Sequence, residues 1–262
     1  MAKITAEMIR GMKGKGIPCL TAYDYPMTRL LDQAGIPLIL VGDSLGMVVL
    51  GYPDTTHVTM EEMEHHVRAA ARARPNALLA ADLPYKSYET IETAVANARA
   101  LVRAGAEAVK AEGGVEILPQ VRAIIAEGIP FLGHLGMLPQ HVIEEGGYRI
   151  KGKETAEKER LKADAMALAE AGAFAIVLEL VAAATAKEIT EAVPAPTIGI
   201  GAGKHCDGQV LVTPDLLGML PWFTLKHVKP RLNAADQMRD VVIEWRDSVV
   251  AAVASGAPPP GE

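Results

Sequence analysis

The chain has 262 residues, half of them hydrophobic, few of them aromatic, and a formal net charge of −6. That length holds one large domain with a sizeable core, a size α/β barrels reach as single domains, and the acidic balance with scattered basic residues argues against a nucleic-acid partner. The start, "MAKITAEMIRGMKGKG", lacks the apolar stretch of a signal peptide, and no apolar run approaches the ~20 residues of a membrane span. No membrane contact is therefore expected. Cys19 and Cys206 stand far apart and match no zinc or CxxC spacing, which fits a reduced, cytoplasmic setting.

Along the chain, short apolar runs predict strands at 18–22, 38–41, 77–81, 108–110, 130–132, 175–178, 197–200 and 210–212. Most are continuous rather than alternating, as in strands of a parallel sheet buried on both faces. Helices are expected in the gaps. The stretch 59–74 opens with a capping box, Thr59 with Glu62. The stretches 90–105 and 158–172 end at glycines. The repeated "AGIP", "AGAE", "EGIP" and "AGAF" mark one recurring event: helix, glycine stop, turn, strand. Residues 233–254 carry Met238, Val241, Val242, Trp245, Val249 and Val253 at helical spacing, predicting a helix packed on the barrel or on another subunit. The pattern predicts an α/β fold, a single-domain (β/α)8 TIM barrel over 1–254, with "SGAPPPGE" (255–262) as a disordered tail. A doubly wound open sheet is the alternative.

In such barrels chemistry sits at the carboxyl ends of the strands. The residues following the apolar runs are Tyr23-Asp24, Asp43-Ser44, Asp82, Lys110 with Glu112, His134, Glu179 and the glycine-rich loop at 199–203. One ionisable group at a strand exit is more often a cap or turn former. Six exits in succession are harder to dismiss. Four carboxylates and one lysine converging on a pocket repel one another unless a cation joins them, so Asp43 is expected to face a metal ion, with Asp82 and Glu112 as candidate partners. Hard oxygen donors suit Mg2+. Two other motifs fail. In the Gly199–Lys204 loop, Ile198 occupies the first glycine position of a phosphate-binding P-loop and His205 the Ser/Thr position. Nor does it match GxGxxG, because Lys204 stands at the last glycine. His65 and His66 are read as ordinary helix residues.

The stretches "TAYDYPMTRLLDQAGIPLILVGDSLGMVVLGY", "TTHVTMEEM", "ADLPYKSY", "AVKAEGG", "GHLGMLPQ", "AFAIVLELV" and "PTIGIGAGKHCDGQVLVTPDLLG" together resemble the ketopantoate hydroxymethyltransferase family, in its order. The resemblance implies a (β/α)8 barrel that transfers a one-carbon unit from 5,10-methylenetetrahydrofolate to 3-methyl-2-oxobutanoate. It implies Mg2+ at Asp43, Asp82 and Glu112. It also implies keto-acid contacts from Asp43, Ser44, Asp82, Lys110 and His134, and Glu179 as proton acceptor. A homo-oligomer, a decamer, is implied as well. The chain departs from the family's usual pattern at Met137-Leu138, Lys86 and Pro53. The competing readings are another Mg2+-dependent keto-acid barrel of the isocitrate-lyase-like kind, and a non-catalytic ligand-binding barrel.

Overall fold

The structure is a computed structural model in which residues 2–222 and 228–255 are described. The chain divides into two compact units, Met1–Leu211 and Val212–Glu262. In the first, eight strands pair in chain order: β1 (Ile17–Thr21), β2 (Leu38–Val41), β3 (Leu78–Asp82), β4 (Ala108–Glu112), β5 (Phe131–Gly136), β6 (Ala175–Glu179), β7 (Thr197–Ile200) and β8 (Gly208–Leu211). All eight pairings are parallel, and β8 closes on β1. The closure selects the barrel over the open sheet. Strands β2 and β7 coincide with the expected runs. Strands β4 and β5 continue beyond them, through Glu112 and Gly136.

The continuous apolar runs follow from two distinct cores. Leu38, Leu40, Leu78, Ala80, Ala108, Leu132, Ala175, Val177, Ile198 and Val210 fill the lumen with Cys19, and Ile9 of the N-terminal helix Ala6–Arg10 joins them. Their neighbours Ile39, Leu79, Val109, Phe131 and Ile176 point outward and pack with Met63, Val67, Leu101, Ile124 and Leu168 from the helices. Strands β2 to β6 are therefore apolar on both faces, although their side chains alternate. Cys19 is a buried lumen residue whose thiol is pushed up by burial.

The helix signals fall where expected. Thr59 and Glu62 form a reciprocal capping box on the helix Met60–Ala71. The helices Ile91–Ala104 and Thr155–Ala171 end at Gly105 and Gly172, both left-handed with φ of 117° and 105°, a conformation that costs other residues roughly 1 kcal/mol or more. In the second unit the helix Ala234–Ser255 buries none of its residues, and Val241, Val242, Trp245, Val250 and Val253 are exposed. Of the tail expected at 255–262, Ser255 ends this helix, and the rest lies outside the described residues. Among the described residues no helix is long and apolar enough to cross a membrane.

One expected helix is absent. Parallel neighbours usually need a crossover of a dozen or more residues, yet β7 returns to β8 through residues 201–207 alone, with no helix. Gly201 and Gly203 make the turn with φ of 62° and 81°. The return lies flush: a Cβ on Gly203 would sit 2.7 Å from that of Ala183, and one on Gly208 would sit 2.3 Å from the Ile17 carbonyl oxygen. The glycine-rich loop is thus a turn where backbone meets backbone. Its end is pinned by Asp207, which accepts from Lys13 Nζ at 2.9 Å, Gly14 N at 2.9 Å and Thr197 N at 2.8 Å. Burial would raise the Asp207 carboxyl, but Lys13 and the two backbone donors outweigh it and hold the carboxyl below its usual range.

A depressed carboxylate stabilises the fold above its unfolded pKa, and the benefit is lost as pH falls through the folded value. Asp207→Asn is expected to cost about 2–4 kcal/mol near pH 7. The difference from wild type should shrink below about pH 4. Urea denaturation across that pH range measures it, and a difference that does not change with pH would show that the charge at Asp207 contributes nothing.

Candidate active site

The lumen-facing register of four strands ends in ionisable residues. Leu78 and Ala80 are followed two residues on by Asp82. Ala108 leads to Lys110 and Glu112, Leu132 to His134, and Val177 to Glu179. Side chains of a strand repeat their direction every second residue, so these groups share the carboxyl-end mouth of the lumen. The parallel register sets them side by side, Asp82 beside Lys110 and Glu112 beside His134.

Two linked groups result. In the first, Lys110 Nζ donates to Asp82 Oδ1 at 2.8 Å, with both side chains about 5% exposed or less, and Asp82 Oδ2 accepts the Asp43 backbone N–H at 3.1 Å. Burial would lower the Lys110 ammonium, but Asp82, Asp43 and Glu112 outweigh it and raise its pKa. In the second group, His134 lies between two carboxylates, with Nδ1 3.4 Å from Glu112 Oε1 and Nε2 3.4 Å from Glu179 Oε2. Both nitrogens are buried without a hydrogen bond, so the pairing is electrostatic. Burial and Lys110 act to lower the imidazole, and the flanking carboxylates outweigh them, holding it at about 9. Glu179 therefore pairs with His134, while Lys110 belongs to Asp82. Glu179 is partly exposed, its side chain at 15%.

Asp43 carries the strain. Burial, Asp82 and Glu112 push its carboxyl well above the usual range. Its direct partner is Gln140, a residue that a search for charged groups passes over. Gln140 is 1% exposed. Its Nε2 donates to Asp43 Oδ2 at 2.8 Å and to the Leu83 carbonyl at 2.9 Å, and its backbone N–H donates to Glu112 Oε2 at 3.0 Å. Tyr88 in turn donates to Gln140 Oε1 at 2.6 Å. Gln140 lies at the end of "GHLGMLPQ", and the Pro before it is the only local sign that the chain turns back over the mouth. Tyr23, at the first strand exit, takes a role the sequence did not assign, its hydroxyl 2.9 Å from Ser44 Oγ.

The remaining expected positions resolve by contact. Asp24 caps the helix Tyr25–Gln33 and is structural. His66 Nδ1 donates to the Tyr23 carbonyl at 2.7 Å and steadies that exit. Lys86 is exposed, in the left-handed region at φ 61°, with its ammonium 5.2 Å from the Tyr85 ring centre. Met137 is fully buried, and its N–H donates to the Glu179 carbonyl at 2.8 Å. A Cβ on Gly136, at φ 102°, would lie 2.2 Å from that same carbonyl oxygen. The glycine thus allows β5 to approach the Glu179 backbone.

The donors around Asp43 are hard oxygens, and Glu112 Oε1 is buried without a hydrogen bond. Among the described residues no three His, Cys, Asp or Glu side chains converge tightly enough to hold an ion by themselves. Mg2+ does not require that, since it keeps several waters and uses one or two carboxylates with substrate oxygens. Asp43 and Asp82 fit that demand. Glu112 is turned toward His134 and the Gln140 backbone.

The fold is that of a class of solved parallel barrels. Phosphonopyruvate hydrolase, solved with oxalate and Mg++, aligns at a TM-score of 0.61 and 14% identity, covering 97% of this chain and 89% of that one. Oxaloacetate acetylhydrolase aligns at 0.65 and 16%, covering 93% and 87%. 2,3-Dimethylmalate lyase, a PEP mutase/isocitrate lyase superfamily member, aligns at 0.58 and 16%, covering 99% and 90%. The model of the ketopantoate hydroxymethyltransferase family matches residues 3–253. Proteins named 3-methyl-2-oxobutanoate hydroxymethyltransferase are 52% identical in Moorella thermoacetica, over 95% of this chain and 94% of that protein, and 47% identical in Thermus thermophilus, over 96% and 97%. The chain belongs to the ketopantoate hydroxymethyltransferase family.

Asp43→Asn keeps the acceptor for Gln140 and removes a carboxyl whose raised pKa penalises the fold at neutral pH in the absence of metal. Its melting temperature in EDTA should exceed that of wild type at pH 7.5. The gain should close on acidification, because the wild-type penalty is absent once the carboxyl is protonated in both folded and unfolded states. Scanning calorimetry reads both, and a lower melting temperature at pH 7.5 would contradict the charge conflict.

Proposed function

We propose that the chain transfers a hydroxymethyl group from 5,10-methylenetetrahydrofolate to 3-methyl-2-oxobutanoate, giving 2-dehydropantoate. The observation that carries this reading is the pairing of a partly open carboxylate, Glu179, with a closed Asp43–Asp82–Lys110 group at one barrel mouth. That is the division of labour needed to take a proton next to a ketone. The family membership fixes which ketone.

Lys110 gives one N–H to Asp82 and has two more for the keto-acid carboxylate. Ser44, held by Tyr23, and Asp43 orient the other end of the substrate. Glu179 takes the C3 proton as general base. His134 keeps the Glu179 carboxylate placed and carries a compensating charge beside it. The C3 carbon then bonds to the folate methylene carbon. Both C–N bonds between that carbon and the folate break, water supplies the hydroxyl oxygen, and the proton taken from C3 and one proton of the water pass to the two folate nitrogens, releasing tetrahydrofolate. Asp43 and Asp82, with Glu112 nearby, are the residues that would hold Mg2+, which when bound would stabilise negative charge on the keto oxygen. Nothing in the sequence is needed as a covalent nucleophile.

The test is exchange of the C3 hydrogen with D2O in the presence of Mg2+ and 3-methyl-2-oxobutanoate, with folate omitted. Wild type should exchange, and full turnover should require methylenetetrahydrofolate, which separates this activity from isocitrate-lyase-like chemistry. Glu179→Gln should slow exchange by roughly 10²–10⁴-fold with little change in keto-acid binding. Exchange at the wild-type rate would move the base elsewhere, to His134 first.

Gln140→Leu removes the side-chain donor to Asp43 and to the Leu83 carbonyl, and leaves Tyr88 only the Glu112 backbone. Supporting residues of this kind are worth roughly 10–100-fold in metal affinity. Isothermal titration with Mg2+ should show that loss. Unchanged affinity would mean that Gln140 only packs.

A further inference from the structure

Residues 141–150 form an arch from the exit of β5 to the exit of β6, anchored at both ends. At one end Gln140 is fastened to Asp43 and Glu112. At the other, the Lys151 N–H donates to the Leu180 carbonyl at 2.7 Å, the Lys151 carbonyl accepts from Ala182 N at 2.9 Å, and Lys151 bridges to Val181. The Lys151 side chain is buried and pairs with Glu145 of the arch. Leu180 and Val181 directly follow Glu179, so the second anchor is built on the strand that carries the base. Gly146 and Gly147, at φ 71° and 117°, turn the chain between the anchors.

What the arch presents to solvent does not suit a solvated loop. Ile143 is 67% exposed, Tyr148 48% and Ile150 47%, on a segment of ten residues. Three apolar side chains this exposed on one short segment at the rim of a site offer contact area to a ligand. The basic side chains Arg149 and Lys153 are also exposed. Partial burial and the negative charges of Glu179, Asp43 and Glu112 raise the Tyr148 phenol, which places its ring within the field of the site.

The two co-substrates differ in size. The keto acid is small enough for the groups inside the mouth. The folate has fused and single aromatic rings and an anionic glutamyl tail, too large to enter among side chains that are 2–4% exposed at Asp43, Asp82, Lys110, Glu112 and His134. It must stop at the rim with its methylene directed inward. Glu179, one of the site's partly exposed groups, marks where the rim is open.

We propose that the arch is the docking platform for methylenetetrahydrofolate, with the Tyr148 ring against an aromatic ring of the co-substrate and Arg149 and Lys153 facing its carboxylates. The assignment rests on the reaction proposed above. Aromatic contact of this kind survives loss of the hydroxyl but not of the ring.

The experiment compares Tyr148→Ala, Tyr148→Phe and wild type. Tyr148→Ala should raise KM for methylenetetrahydrofolate roughly 10-fold, while Tyr148→Phe stays within about 2-fold. The folate-free deuterium exchange does not involve the donor, so the KM for the keto acid in that reaction should be the same in all three. An unchanged folate KM in Tyr148→Ala overturns the proposal. So does an equal loss of exchange, which would put Tyr148 with the keto acid. Calorimetric binding of tetrahydrofolate to the same proteins reads the platform without turnover. Should wild type exchange no deuterium, the proposed reaction fails, and weaker tetrahydrofolate binding by Tyr148→Ala would still uphold the platform.

Discussion

The parallel register of the closed barrel is the constraint on which the site depends. Because every strand runs the same way and its side chains alternate, a lumen position on one strand has a lumen neighbour at the same height on the next. Asp82 beside Lys110 and Glu112 beside His134 are such neighbours. Negative and positive groups therefore alternate around the mouth, through Asp82, Lys110, Glu112, His134 and Glu179. The alternation lets buried charges persist, since isolated ones would neutralise or unfold the strand ends.

The alternation stops at Asp43, which leaves the barrel after Gly42 and, among the described residues, feels Lys110 only at a distance, without an ion pair of its own. A neutral amide, Gln140, satisfies it instead, and the same residue reaches Glu112 through its backbone and is itself held by Tyr88. An amide orients a carboxylate without cancelling its charge. The arrangement keeps the carboxylates placed and leaves a net negative demand for a divalent cation.

Much of the fold was legible in the sequence because each signal had a local cause. The continuous apolar runs, the capping box at Thr59 and the glycine stops at Gly105 and Gly172 all act within a few residues. The strand ends were less legible. The expected β4 and β5 stop at Lys110 and Leu132, since charge normally ends an apolar run, yet both strands continue because the neighbouring strand supplies the counter-charge. The helix expected between β7 and β8 is missing for the opposite reason: glycines at 201 and 203 make a return too short for a helix. In the site, every candidate that is ionisable could be found by listing strand exits. Gln140 and Tyr88 could not, because their roles depend on partners up to 97 residues away and their side chains carry no charge to draw notice; Tyr23 stands at the first strand exit, but its contact with Ser44 is not visible in the sequence.

The bare return between β7 and β8 bears on how the molecule assembles. The seam it borders, β8 on β1, joins parts of the chain such as Lys13 and Asp207 that are 194 residues apart. Contacts that distant form late, after the loop entropy between them has been spent. With no crossover helix beside it, the seam rests on long-range contacts such as Lys13 with Asp207, the kind whose loop entropy is greatest. Amides of β8 should therefore open on a faster clock than those of β2 to β6, and slow exchange at the mouth can coexist with a barrel that unzips from one side.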